Sequence, residues 1–566
     1  MMMWLSQNQE DLSERYDVII VGSGYGGAVA ASRLARLGFQ VCLLERGREI
    51  VPGQYPNNTE QFLKEVHAVL PSEQIGAENA LFDVRCYRDI QVVTGSGLGG
   101  TSLIDAGVCL RPDLSLLQDL AWPEAIRNDP QMPIYYQKAE TMLCPSPYPL
   151  GFPLPPKFCN VEQAVKETIR DVKTSRPKLL INFDSLPNGL NPAGVRQNPC
   201  TLCGNCLTGC NEGAKNTLMM NYLPDAKRHG ARLFTRMQVL SIQQEDTLWR
   251  VFVKRIREDN KKEKPLMLRA DRVILAAGTL GTTEILLRSE EKGLKLSNAL
   301  GHRFSGNGNT IGVVFNTNAP MNAVGLGSHG NDGEVPVGPA TAGMMAIGSE
   351  QPLKNDILLS DLTFPGAFGK WLPFLLSSLA KTAGAIEMGA ANEKEGAIQE
   401  LFQKETRIIQ SRILGSGAGA VHHTSLLFVT GHDESAGRII MEKDRIKILW
   451  PGIHRQPKLY RTHEMLKQIA ETLEGYSIPN PIWHERLGNG IMTWHPLGGA
   501  VMADDASAGV VNHKGQVFSG GSGVEVYSGL YVMDGSVIPR SLGVPPLLTI
   551  CALAERSCSL LEMEKR

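Results

Sequence analysis

The sequence predicts an α/β fold organised around a Rossmann-type nucleotide-binding unit, and two features carry that expectation. The N-terminal stretch YDVIIVGSGYGGAVAASRLARLGFQVCLLERG runs from a β-branched strand, centred on Val18 to Val21, through closely spaced glycines into a helical pattern and a second strand. Downstream, DRVILAAGTLGTTEILLRS (271–289) and GLYVMDGSVIPRSLGVPPLLTICALAERS (529–557) repeat the order of strand, small or acidic residues, and helix.

Each element of the first stretch has a physical reason. Gly22 permits the tight turn, Gly24 allows the backbone to approach a pyrophosphate, and Gly27 lets the helix pack on the strand; Tyr25 and Gly26 lie inside the motif. The helix N-terminus then offers free N–H groups and a positive dipole end. The second strand, QVCLLE, ends at Glu45, about 20 residues on, where a carboxylate can accept both ribose hydroxyls, with Arg46 beside it. An acid at this position argues against a 2′-phosphate and leaves NAD and FAD open. Three further segments favour FAD: the loop VVTGSGLGGTSLIDAGVCLRPD (92–113) with Gly95, Gly97, Gly99, Gly100 and Ser102; Ala277 and Gly278; and Asp534, Gly535 and Pro546. An isoalloxazine must be held flat and dry along one face, and its ribityl chain needs polar partners such as Asp534 that a nicotinamide cofactor does not require.

Bulk properties narrow the class further. The 566 residues are enough for two or more cores, and a formal charge of −1 with no block of like charge beyond KKEK (261–264) excludes a nucleic-acid partner. The N-terminus shows no basic segment followed by an apolar run, and no apolar stretch reaches the roughly 18 residues of a membrane-spanning helix. Eleven cysteines, an odd number, fit a reducing compartment, so a cytoplasmic protein is expected.

On these motifs, together with GAKNTLMMNYLPDAKRHGARLFTRMQVLSI, WHPLGGA (494–500) and the MDGS…IP…GV.P..T…LAER ending, the chain resembles the glucose–methanol–choline (GMC) oxidoreductases, most of all their cholesterol-oxidase-like branch. The resemblance spans nearly the whole chain. It implies an FAD-binding Rossmann-type domain assembled from residues 12–110, 195–310 and 486–566, and an inserted α+β substrate domain on an antiparallel sheet. The insertion comprises a connecting or lid region at 111–194 and residues 311–485. It places Val239 at the adenine and His495 near flavin N5, where an imidazole accepts the proton of an alcohol whose hydride goes to the flavin; imidazole chemistry suits that part. Two positions depart from the family. Pro545 stands where an Asn or His partner is usual, and proline has no donor. Asp105 replaces an Asn near the flavin's reactive edge and is a candidate second base.

The run PCTLCGNCLTGCNEGAK spaces Cys200, Cys203, Cys206 and Cys210 as C-x2-C-x2-C-x3-C, a candidate [4Fe–4S] site, with zinc, free thiols or disulfides as alternatives. Asn211 stands where a proline commonly follows such a run. The apolar segment 364–391, with Trp371, Leu372, Phe374, Leu375 and Leu379, is read as packing or lid, or as a cap touching a membrane surface peripherally. Residues 325–343 form a glycine-rich, mobile loop, and His422, His423 and His432 are strand and turn residues. The functional expectation is an FAD-dependent oxidoreductase acting on a CH–OH group of a hydrophobic, sterol-like or terpenoid alcohol, passing electrons to O2 or to a carrier. Two competing readings are a lipid-directed lyase, isomerase or photochemical flavoprotein, on account of Pro545, and a flavin/iron–sulfur electron-transfer partner.

Overall fold

In a computed structural model the structure describes residues 4–257, 264–327, 336–348, 357–382, 397–480 and 490–565. Parts of KKEK, of the 325–343 loop and of the 364–391 segment lie outside these residues.

The strand Arg15–Val21 is central to the largest sheet, parallel to Val41–Leu44 on one side and to Leu266–Leu275 on the other. Ile19 and Ile20 point to opposite faces and are both fully buried, as expected of a parallel strand covered on two sides. The helix Tyr25–Arg36 lies against this sheet through Ala28, Ala30 and Ala31, all fully buried. Small side chains bring the helix close, and it ends at Gly38, whose positive φ satisfies the usual helix terminus. The segment after the cysteine run supplies the helix Tyr222–Arg228 and the edge strand Arg232–Phe234, parallel to Val41–Leu44. Leu266–Leu275 is long enough to serve two partners. Its first half pairs antiparallel with Leu248–Arg255, and its second half pairs parallel with Val526–Val532. Sequence-distant segments therefore converge on one strand end, where the parallel strands Arg15–Val21, Leu266–Leu275 and Val526–Val532 all finish.

A second sheet of six strands is antiparallel throughout, in the order Tyr476–Pro479, Thr310–Phe315, Ser425–Thr430, Ile357–Leu362, Met344–Ile347, Val172–Ser175. The antiparallel platform expected from the resemblance is thus present. Helix Pro156–Thr168 is anchored to it by a fully buried ion pair, Lys157 Nζ to Asp361 Oδ2 at 2.8 Å, with the remaining ammonium donors on the Pro339 and Ala340 carbonyls. A third, mixed sheet joins the two parts. It pairs Ile491–Thr493 with Ile90–Gly95, so the strand leading to His495 lies beside the strand leading to the second glycine loop.

Pro373 sits in the first turn of Leu372–Thr382, where its missing N–H costs no hydrogen bond. One expectation changes in detail. His422 closes a short helix, Gly419–His422, rather than lying in a strand or turn. No helix among the described residues is long and apolar enough to cross a membrane.

Candidate active site

The converging strand ends open into a cavity of about 790 Å³ that extends from the glycine loops to the six-stranded sheet. At the first loop Gly22 has φ +96°, and a Cβ there would stand 2.3 Å from the Ala276 carbonyl oxygen. A Cβ on Gly27 would meet the Gly22 oxygen at 2.0 Å, which explains a glycine between helix and strand. Gly24 differs: a Cβ there meets nothing within 4 Å, so its backbone faces open space in the cavity. The second loop closes on the first, since a Cβ on Gly100 would lie 2.9 Å from the Gly24 Cα. The Gly99 amide donates to Ser23 Oγ at 2.9 Å.

Glu45 is buried and lines the cavity, with its carboxylate oriented from below. It accepts from the Ser23 amide and hydroxyl at 3.0 and 2.6 Å and from the Gly47 amide at 2.8 Å. Arg46 also lines the cavity and pairs at 2.8 Å with buried Asp83. Burial would raise the Asp83 carboxyl, but Arg46, Arg85 and His67 together hold it well below the usual range. Val239 reaches the cavity at a register slip between Val239 and Ser241, a bulge that re-aims the strand.

Tyr25, Gly26, Gly95, Ala277, Gly278, Gly535 and Pro546 line the same cavity, whereas Gly27, Gly97, Gly99 and Ser102 do not. Asp534 is at the wall, but its carboxylate is occupied. Oδ2 accepts from the Gly278 amide at 2.9 Å and Thr282 Oγ1 at 2.5 Å, and Oδ1 from the Ser536 amide and hydroxyl at 2.9 and 2.5 Å. Burial raises its pKa. Its observed work is to tie the N-terminus of helix Gly278–Glu290 to the turn Gly535–Val537.

His495 lies where this cradle meets an apolar chamber lined by Val313, Leu362, Phe364, Leu376, Leu426 and Phe428. Its ring packs edge-on to Phe428 at 5.6 Å. Thr493 seats it: Oγ1 accepts the His495 amide at 2.9 Å and bonds the Gly306 carbonyl at 2.9 Å, while Asn309 Oδ1 receives the Trp494 amide at 3.4 Å. His495 Nδ1 is buried without a hydrogen-bond partner, a state that costs free energy. Burial lowers the imidazole to about 3, so it is neutral at pH 7. Pro545 lines the cavity as well. Its loop is held by Asn307, whose Oδ1 accepts from the Leu542 and Gly543 amides and whose Nδ2 donates to the Val544 carbonyl.

Asp105 faces the cavity with partners on both carboxylate oxygens. Its oxygens accept from Tyr25 Oη at 2.5 Å and the Gly107 amide at 3.0 Å, and Lys215 Nζ stands 3.0 Å away. Nothing in the local pattern around Lys215 marks it as buried; its role becomes visible only through its partner.

The four cysteines do not form the expected metal centre. Among the described residues no group of three or more His, Cys, Asp or Glu side chains is placed to hold a metal ion, and all eleven cysteines are free thiols. Burial raises the thiols of Cys200, Cys203 and Cys206, the last to about 12. Polar side chains fix the loop instead. Asn205 Oδ1 receives the Gly366 amide at 3.1 Å, and Asn211 accepts from the Gly53 and Tyr55 amides and donates to the Tyr55 carbonyl.

A glycine cradle for a dinucleotide, open to an apolar chamber through one neutral imidazole, defines a cofactor-dependent oxidoreductase. The model of the GMC oxidoreductase family matches residues 16–306 in its N-terminal part and 459–554 in its C-terminal part, and the chain belongs to this family. It is 27% identical to a cholesterol oxidase of Mycobacterium tuberculosis, over 96% of this chain and 91% of the relative. It is 25% identical to a cholesterol oxidase of Acinetobacter baumannii over 96% and 94%, and 22% identical to long-chain-alcohol oxidase FAO3 of Arabidopsis thaliana over 97% and 68%. Among solved structures, pyridoxine 4-oxidase superposes with a TM-score of 0.58 at 14% identity, covering 97% of this chain and 99% of that one, and a fungal aryl-alcohol oxidase with 0.53 at 15%, covering 98% and 100%. These show the shared fold. The family binds FAD, and the open backbone at Gly24 and the acid at Glu45 fit that group.

Two outcomes follow from this geometry. Gly24→Val places its side chain in open space, so the apoprotein should melt as the parent does while FAD affinity, read by fluorescence titration, falls at least about tenfold. Equal affinity would show that the cradle lies elsewhere. Burial also lowers His432 and His463 to about 4 and His495 to about 3, against about 6.5 unfolded. The unfolded chain therefore binds more protons, and this stability is complete above about pH 6.5 and lost as pH falls towards 4 and 3. Apoprotein melting temperatures from pH 7.5 to 5 should decline; a flat profile would contradict buried neutral imidazoles.

Proposed function

We propose that the protein oxidises a secondary alcohol of a hydrophobic, sterol-like or terpenoid molecule. The observation that carries this is His495: a neutral imidazole that lines the cavity at the boundary between the cradle and an apolar chamber. Gly22, Gly24, Glu45, Gly100, Val239, Gly278 and Gly535 would hold FAD. When bound, FAD supplies at N5 the acceptor for the hydride leaving the carbinol carbon, and O2 is the proposed final oxidant. His495 accepts the hydroxyl proton, for which a neutral ring is the required form. The chamber excludes water and binds the hydrocarbon body, with Phe428 fixing the imidazole plane. The names of the relatives, cholesterol and long-chain-alcohol oxidases, support a CH–OH donor with a large apolar part.

Pro545 and the fully engaged Asp105 support a second reading, in which alcohol oxidation has given way to a lyase, isomerase or photochemical reaction on a lipid. Anaerobic mixing with hydroxysteroids and long-chain alcohols separates the two. Bleaching of the yellow flavin band is expected, slowed on the order of 10²- to 10⁴-fold in His495→Asn with flavin loading retained; an inert flavin across the panel would favour the second reading.

The route of such a substrate is also proposed. Leu372, Leu375, Leu376 and Leu379 of helix Leu372–Thr382 line the cavity, while Trp371, Phe374 and Leu375 are 61%, 55% and 52% exposed. On the adjoining helix Ala397–Leu414, Phe402, Ile409 and Ile413 repeat at helical spacing and are exposed too. An apolar surface continuous with an apolar chamber suits contact with a lipid bilayer. Replacing Trp371 and Phe374 by serine should slow turnover of a sterol presented in phosphatidylcholine vesicles but not of the same sterol in detergent; equal effects in both would dismiss membrane contact.

A further inference from the structure

Lys215 carries a buried charge that the proposed reaction does not use. Its residue is 2% exposed. Nζ lies 3.0 Å from Asp105 Oδ1 and donates to the Asp105 carbonyl at 2.5 Å and to the Cys206 carbonyl at 3.4 Å. An ammonium has three donors, so all are engaged. The other Asp105 oxygen accepts from Tyr25 Oη, and Tyr25 stands between Gly24 and Gly26 in the first glycine loop. Asp105 and Tyr25 line the cavity, whereas Lys215 stands behind them, against a small recess shared with Tyr55 and Cys210.

The chain thus places a carboxylate on the wall of a cofactor cavity and matches its charge from the protein side. A carboxylate left unpaired on that wall is unfavourable to desolvate and opposes any negative charge arriving in the cavity. We propose that Lys215 is a positioning residue of the redox site: it compensates and orients Asp105, which in turn fixes Tyr25 in the glycine loop. The cysteine run has a place in this arrangement, because the Cys206 carbonyl is one of the three acceptors that seat the ammonium. The assignment rests on the flavin reading for its effect on the cofactor, but not for the ion pair itself.

The test is a double-mutant cycle of Lys215→Met, Asp105→Asn and the two together, read by apoprotein melting, FAD titration and the absorption maximum of the bound flavin. Lys215→Met should melt below the parent, bind FAD at least about tenfold more weakly and shift the flavin maximum. The double variant, which buries no charge, should melt above Lys215→Met and return to within about threefold of the parent's FAD affinity. A double variant no better than Lys215→Met would overturn the proposal. So would unchanged FAD affinity and spectrum in Lys215→Met, which would leave the lysine a purely structural ion. If Lys215→Met does not fold, the double variant should still exceed Asp105→Asn in melting temperature and FAD affinity, and equality would again overturn the assignment. A parent protein that takes up no FAD would instead bring down the flavin reading, with the melting cycle alone still reporting whether the pair is coupled.

Discussion

The near-contact of two glycine loops is the constraint on which the rest of the site depends. Gly100 stands so close to Gly24 that a Cβ on Gly100 would lie 2.9 Å from the Gly24 Cα, and Ser23 links the loops by accepting the Gly99 amide while giving its own amide to Glu45. One loop is set by the parallel strand Arg15–Val21, the other by Ile90–Gly95 of the mixed sheet. Because Ile90–Gly95 also pairs with Ile491–Thr493, fixing the loops fixes the strand that delivers His495. A cofactor-sized opening and an imidazole facing it are therefore consequences of a single backbone juxtaposition, and small residues are required wherever that juxtaposition is tightest.

Much of this was legible in the sequence, because a glycine demanded by backbone proximity leaves a pattern that spacing can reveal. The strand–turn–helix order, Glu45 at the second strand's end and the small residues before helix Gly278–Glu290 appear where the motifs placed them. Local pattern could not say which polar atoms remain free. Asp534 looked like a ribityl partner, yet four internal donors occupy its oxygens. Asp105 looked like a spare base, yet its charge is answered by a lysine 110 positions away. Pairings at long separation leave no periodicity to read, and buried lysines in particular are indistinguishable in sequence from solvated ones.

The cysteine run shows the same limit from another side. Spacing alone fits thiolate ligation, but among the described residues the sulfurs do not come together as a metal-binding group. What this tight loop does in the fold is join two distant pieces, Asn205 to the turn at Gly366 and Asn211 to the loop at residues 53–57, while the Cys206 carbonyl receives nearby Lys215. Gly209 illustrates how closely it packs, since a Cβ there would fall 2.0 Å from the Tyr55 ring.

The chemistry is correspondingly concentrated on one side chain. With proline at 545 and the Asp105 carboxylate already satisfied, neither departure from the family pattern supplies a free polar group beside His495. Burial that lowers the imidazole to about 3 keeps it neutral, and in the proposed oxidation a neutral ring is the form that can accept a proton. In that reading a hydroxyl entering the apolar chamber would lose its own hydration, so a polar partner on the chamber wall would count for more than it would in water.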